Sequence, residues 1–310
     1  TGGIIDLSQG TPVDATPEFI QQELKSAANS PGYPLTIGTP ELRSAMRNWA
    51  TNVLGASGEF DVLPTIGSKE LVAWLPTILE AKTVLYPRVA YPTYLVGSMI
   101  HQSTNIAVDI DAKAWPKSDL AWINSPSNPT GRVHSESELE AVIGYAREHN
   151  TVIASDECYI NFPATGPKPI SILKVAAGSN KNLLAVHSMS KRSNLAGYRA
   201  GLIAGDPDLI AVILEVRKHA GMLTPLPIQR SMTAALGDEE HVAIQAARYA
   251  NRRKALSSAL IAAGFQIDFS NAGLYIWCTR NEDCWNSVSW LADIGILATP
   301  GVFYGEAGAQ

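Results

Sequence analysis

The amino-acid sequence predicts an α/β protein: a large domain built on a mostly parallel, seven-stranded sheet with helices on both faces, joined to a smaller α+β domain. Three observations carry this expectation. Seven short, predominantly apolar runs lie between Asp61 and Asp206, the pattern of strands buried on both faces. Helical patterns lie between several of these runs, as crossover connections of a parallel sheet require. After Gly221 the spacing changes to one long amphipathic helix followed by shorter runs.

The expected strands are residues 62–66, 83–86, 105–110, 120–124, 151–154, 182–187 and 199–204. The clearest helix between them is 135–149. Ser135 and Glu138 there form a capping-box pattern, Leu139, Val142, Ile143 and Ala146 make one apolar stripe, and Asn150 suits the C-terminal turn. A helix over 239–263, stopped by Gly264, leads into runs at 265–269 and 274–279, a helix near 283–292 and a run at 296–298. Residues 1–30 contain no obvious sheet of their own. They are expected to pack with the C-terminal unit, giving a large domain of residues 31–237 and a split small domain of residues 1–30 and 238–310.

The 310 residues allow one large or two ordinary domains. With 24 Lys+Arg against 29 Asp+Glu the net charge is -5, which speaks against a nucleic-acid surface or a polybasic membrane patch and for a small polar ligand. Three cysteines without a C-x-x-C motif give neither a disulfide framework nor a thiolate zinc site. No apolar run approaches the roughly 18–20 residues that span a bilayer. A cytoplasmic setting is expected.

Five segments follow expected strands and carry chemistry. Gly67-Ser68-Lys69-Glu70 opens a helix, whose free N–H groups and dipole suit one phosphate, although an ordinary Ser-capped helix leaves the same trace. In Ser188-Met189-Ser190-Lys191, a strand delivers a lysine to the sheet edge where open α/β sheets bind ligands. Such an amine, with Arg199 nearby, suits a Schiff base; the hydrolase reading of Ser-x-x-Lys lacks its Lys-Thr-Gly partner. Asp156, in Ser155-Asp156-Glu157-Cys158-Tyr159, is placed to hold a positive heterocyclic nitrogen, while Glu157 alternates to the opposite face. A metal is not expected, because the six histidines show no ligand spacing. Asn128, held extended before Pro129, can point at a ligand oxygen, and the aromatics of the segment from Tyr86 to Tyr94 can stack on a flat ring. Lysine for an imine, aspartate for a pyridinium, Tyr and Asn for a phenolate oxygen, an aromatic for the ring face, and Ser, Arg and a helix end for a phosphate together describe pyridoxal phosphate (PLP).

On these motifs, and from Asp6-Leu7-Ser8-Gln9-Gly10-Thr11-Pro12 to Pro300-Gly301-Val302-Phe303-Tyr304-Gly305, the chain resembles the class I/II, fold-type I PLP-dependent aminotransferases. The resemblance implies that Lys191 binds the cofactor covalently, Asp156 pairs with its ring nitrogen, and Tyr159 and Asn128 contact its ring oxygen. It implies that Tyr91 stacks on the ring, and that Ser68, Ser188, Arg199 and the backbone at Lys69, in the Gly67 turn, hold the phosphate. Tyr33 resembles a tyrosine that reaches the phosphate of a neighbouring subunit, which implies a homodimer with shared sites, and Gly10 resembles the glycine beside the substrate carboxylate. The segments 190–201 and 30–38 are similar to those of bacterial, actinobacterial-style N-succinyldiaminopimelate aminotransferases. The implied reaction is a ping-pong exchange between glutamate/2-oxoglutarate and N-succinyl-LL-2,6-diaminopimelate in lysine biosynthesis. An aminotransferase of aspartate-like or aromatic substrates and a PLP β-lyase are the enzymatic alternatives. A non-catalytic sensor domain is disfavoured, since no basic helix-turn-helix segment occurs. Arg88 and Arg192 are candidate contacts for a second carboxylate, although a solvated or structural role is the readier reading of each. The family's arginine for the α-carboxylate is expected beyond Gln310, in a C-terminal segment that the sequence lacks.

Overall fold

The computed structural model describes residues 3–310. All seven expected strands form: β1 Asp61–Ile66, β2 Thr83–Pro87, β3 Thr104–Val108, β4 Leu120–Asn124, β5 Val152–Asp156, β6 Leu183–Ser188 and β7 Ala200–Gly205. They join one sheet in the order β1-β7-β6-β5-β4-β2-β3. β7 runs antiparallel to both its neighbours, and the other pairs are parallel. The reversal corrects one expectation. Arg199 does not lie within the last strand; it precedes it, with φ 56°, and because β7 is reversed its amino end shares an edge with the carboxyl ends of the other strands.

β4, β6 and β7 are buried along their whole length, which explains their apolar sequences. Alternation sends successive side chains into two cores. Ala121, Ile123, Ile153 and Ala185 face one core, under the helices Pro40–Trp49, Glu136–His149 and Leu226–Leu236. Trp122, Ala154, Leu184 and Val186 face the other, under Gly67–Ile78, Thr93–Ile100 and Pro207–His219. The capping box of the Glu136–His149 helix forms as its sequence dictates, and Asn150 closes the helix in the left-handed conformation.

The long helix Glu240–Ala262 leads to an antiparallel pair, Gln266–Asp268 with Trp277–Thr279, and to the helix Cys284–Asp293. Ile296–Leu297 then pairs in parallel with Ile5–Asp6. The run at 296–298 thus forms a strand, whereas its two-residue partner Ile5–Asp6 is too short for periodicity to reveal. The Glu18–Ser26 helix instead lies against Leu226–Leu236. Among the described residues no helix is long and apolar enough to cross a membrane.

Candidate active site

The loops after β1, β2, β4, β5 and β6, the residue before β7, the N-terminal segment and the C-terminal unit surround a cleft of about 710 Å³ at one edge of the sheet. Lys191 enters it from the short helix Met189–Arg192, directly after β6. Ser188 starts that helix by accepting a hydrogen bond from the Ser190 N–H at 3.2 Å, and donates its own hydroxyl to Ser190 Oγ at 2.9 Å. Burial lowers the pKa of the Lys191 amine; Cys158 opposes that effect, and the positive charges of Arg199 and Lys69 add to it. An amine held this way reaches its nucleophilic form more readily than a solvated lysine.

Asp156 ends β5. Its carboxylate accepts from the Tyr94 hydroxyl at 2.8 Å and from the Cys158 N–H at 3.1 Å. Tyr94 is fully buried, and burial beside Asp156 pushes its phenol well above the usual range. Glu157 turns the other way, as alternation requires. It is 1% exposed, lies 3.3 Å from His187 and accepts from the Ile172 N–H at 2.8 Å, so its role is structural. Asn124 Nδ2 donates to the carbonyls of Pro126 and Asp156, and its Oδ1 accepts from the Asn128 N–H at 2.6 Å. That clamp pins the turn carrying Asn128 to β5. The Tyr159 hydroxyl donates to that of Tyr275 at 3.3 Å.

The helix Gly67–Ile78 begins without a side-chain cap, so Ser68 does not serve as an ordinary capping serine and the first N–H groups stay free for a ligand. Gly67 adopts φ 67°, and a Cβ there would strike the Arg199 guanidinium. The turn therefore needs glycine for both its backbone and its close approach to the arginine. Tyr91 lines the cleft with Lys69 Nζ 5.7 Å from its ring centroid. Gly10 lies against Tyr275, whose hydroxyl a Cβ would meet.

The cleft thus brings together Gly10, Ser68, Lys69, Tyr91, Asn128, Asp156, Tyr159, Ser188, Lys191 and Arg199, with Gly67 behind Arg199. It does not include Tyr33, which is 99% exposed on this chain. Arg88 pairs with Asp109, and Arg192 is buried on Glu239 and over Trp49; both have structural partners. Sequence reasoning missed Tyr94, Tyr275, Phe303 and Tyr304 as site residues. Tyr94 belongs to the aromatic segment expected to stack on a flat ring, but nothing in the pattern points to its bond with Asp156, and the Phe303-Tyr304 pair lies in a segment of the resemblance without a role of its own. Cys158 also lines the cleft. Among the described residues no cluster of three or more His, Cys, Asp or Glu could hold a metal.

PLP fits this arrangement. A lysine with a lowered pKa, an acid and a cation lie on one edge, an uncapped helix end stands beside Arg199, and Asn128 lines the cleft with an amide whose N–H groups can donate to a ligand oxygen. Gly67→Ala is expected to raise the dissociation constant for PLP by about tenfold or more, since left-handed strain alone costs on the order of 1–3 kcal/mol. Titration of the apoprotein with PLP measures it.

The sheet and the lysine-bearing cleft are those of a fold-type I PLP-dependent enzyme. The chain belongs to the aminotransferase class I and II family, whose model matches residues 3–306, and that family uses PLP. It is 48% identical to 4-dedimethylamino-4-oxo-anhydrotetracycline transaminase OxyQ of Streptomyces rimosus, over 99% of this chain and 88% of that protein. A probable aminotransferase of Mycobacterium tuberculosis is also 48% identical, over 99% of this chain and 75% of that one. Among solved structures, a probable N-succinyldiaminopimelate aminotransferase of Thermus thermophilus superposes with a TM-score of 0.91 at 27% identity, covering 99% of this chain and 88% of that one.

Proposed function

We propose that this aminotransferase exchanges an amino group between glutamate/2-oxoglutarate and N-succinyl-LL-2,6-diaminopimelate, in a ping-pong reaction that Lys191 serves twice. The observation that carries the reaction type is the half-buried Lys191 amine, its pKa lowered, on the same cleft edge as Asp156 and Arg199. When bound, PLP supplies an aldehyde that condenses with amines and a ring that draws negative charge from the substrate α-carbon. The Lys191 amine would hold PLP covalently and, when not so engaged, would move the proton to and from the substrate α-carbon. Asp156 keeps a proton on the ring nitrogen by its opposite charge. Asn128 and Tyr159 hold the ring oxygen, and Tyr91 covers the ring. Ser68, Ser188, Arg199 and the N–H groups after Gly67 hold the phosphate. Gly10 leaves room beside the substrate carboxylate.

The protein acts as a cytoplasmic homodimer in this reading, with Tyr33 reaching the phosphate site of a second copy; its 99% exposure on one chain supports that role. The domain division at residues 31–237, with 1–30 and 238–310 as the small domain, belongs to the same proposal. Support for the substrate comes from the Thermus structure's name and from LL-diaminopimelate aminotransferase of Dehalococcoides mccartyi, 32% identical over 98% of this chain. A second reading, a bulky ring-bearing acceptor, is favoured by the higher identity to the tetracycline-pathway transaminase and by the aromatic wall of Tyr91, Tyr275, Phe303 and Tyr304. An assay with glutamate against a panel of acceptors decides between them. The succinylated keto acid of the diaminopimelate pathway is expected to give the highest kcat/KM, by about tenfold or more. Preference for an aromatic or polycyclic ketone would overturn the substrate, and ammonia release without 2-oxoglutarate would replace transfer by β-elimination.

A further inference from the structure

Tyr275 comes from the C-terminal unit, just before the strand Trp277–Thr279, yet it touches two other parts of the cleft. Its ring meets that of Tyr159 edge-on, with centroids 5.7 Å apart and planes at 72°. Its hydroxyl accepts from the Tyr159 hydroxyl at 3.3 Å. Its hydroxyl and ring edge lie where a Cβ on Gly10 would project. Both phenols are pushed upward by burial, so both protons stay in place near neutral pH and act only as hydrogen-bond donors. The other titratable groups around the pair are Asp156 and Cys158 from the end of β5, Tyr91 from the loop after β2, Tyr304 from the C-terminal unit and Lys191 from the loop after β6.

A phenol hydroxyl has one proton and rotates to suit its acceptors. Tyr159 cannot give that proton both to Tyr275 and to an anionic oxygen in the cleft. Once Tyr159 turns to such an oxygen, its own oxygen becomes an acceptor, and the Tyr275 hydroxyl already lies beside it. We propose that Tyr275 is a positioning residue for this reaction: by donating to Tyr159 it strengthens the hydrogen bond that Tyr159 gives to the cofactor's ring oxygen. The inference rests on the assignment of Tyr159 to that oxygen. Donors in such a chain polarise one another, so the pair does more than Tyr159 alone. The contact also ties the C-terminal unit to the loop after β5, so the Tyr159 donor reaches full strength only when that unit is in place.

The test is the pH titration of the visible absorbance of PLP bound to the holoenzyme. A donor at the ring oxygen favours the deprotonated form, so losing it raises the midpoint. Tyr159→Phe is expected to raise the midpoint, Tyr275→Phe to raise it by a smaller amount, about half a unit to one unit, and the double variant to match Tyr159→Phe alone. Tyr275→Phe keeps the ring over Gly10, whereas Tyr275→Leu removes both ring and hydroxyl. An unchanged midpoint in Tyr275→Phe, or a shift seen only in Tyr275→Leu, would show that the ring merely packs and would overturn the proposal. A lowered midpoint would also overturn it, by showing that Tyr275 competes for the Tyr159 proton. Failure of the unmodified protein to take up PLP would instead sink the reading on which the proposal rests.

Discussion

Lys191→Ala protein mixed with PLP is expected to lack the lysine-linked visible band, and to transfer amino groups at least about 10⁴-fold more slowly than the unmodified enzyme. General acid–base catalysis alone contributes about 10²- to 10⁴-fold, and Lys191 in addition supplies the covalent anchor. The phosphate-holding groups are untouched by the substitution, so PLP should still bind, with a reduced affinity measurable by equilibrium dialysis. Lys191→Arg, which keeps the charge but cannot condense with an aldehyde, should behave in the same way. The unmodified lysine carries a pH signature. Its amine is lowered from the usual 10.5, first by burial and then by Arg199 and Lys69. A lowered pKa means that the free amine is populated at a lower pH. The rate of covalent capture of PLP should therefore rise with pH and level off below the ordinary lysine range. Stopped-flow mixing across pH measures this; a rate still climbing through pH 10.5 would contradict the assignment, and a normal visible band on Lys191→Ala would falsify it outright.

Much of the cleft was legible because its parts are contiguous in sequence. An apolar strand followed at once by Ser188 and Lys191, or by Asp156 and Tyr159, places its chemistry at a strand's end before any tertiary structure is known. Strand direction is another matter. The run ending at Gly205 looks like its neighbours, and only the pairing with β1 and β6 shows that it is reversed. Arg199 reaches the right edge because of that reversal. Tyr94 belongs to the aromatic segment expected to stack on a ring, yet its partner is Asp156, a contact that depends on how the Thr93–Ile100 helix packs. Tyr275 lies 116 residues from Tyr159, and no local pattern announces a contact across that distance. Ile5–Asp6 forms its strand only because Ile296–Leu297 lies alongside. Tyr33 shows the opposite limit: resemblance singled it out, whereas on one chain it is simply an exposed side chain.

Asp156→Asn is expected to lower kcat by about 10- to 1000-fold, the effect of removing an opposite charge that favours the protonated ring nitrogen by about one to three pKa units, while leaving thermal stability close to that of the unmodified protein. Tyr94 and the Cys158 N–H meet separate carboxylate oxygens, at 2.8 and 3.1 Å; the asparagine oxygen can still accept from the Cys158 N–H, and its amide can donate to the Tyr94 hydroxyl, which rotates to accept. Asp156→Ala should lose as much activity and stability as well. It strands a donor on the fully buried Tyr94, at a cost of about 1–3 kcal/mol. The difference between the two variants separates the charge from the scaffold. PLP should remain bound in both, because Lys191, Arg199 and the helix end are unaltered. Glu157 provides the internal comparison. It is the next residue, equally acidic and buried, but it faces His187 and the Ile172 N–H instead of the cleft. Glu157→Gln should therefore leave the bound-PLP absorbance in place and register in thermal stability. If Asp156→Asn kept full kcat while Glu157→Gln lost it, the strand alternation that assigns the two carboxylates would be wrong, and with it the placement of the ring nitrogen at the end of β5.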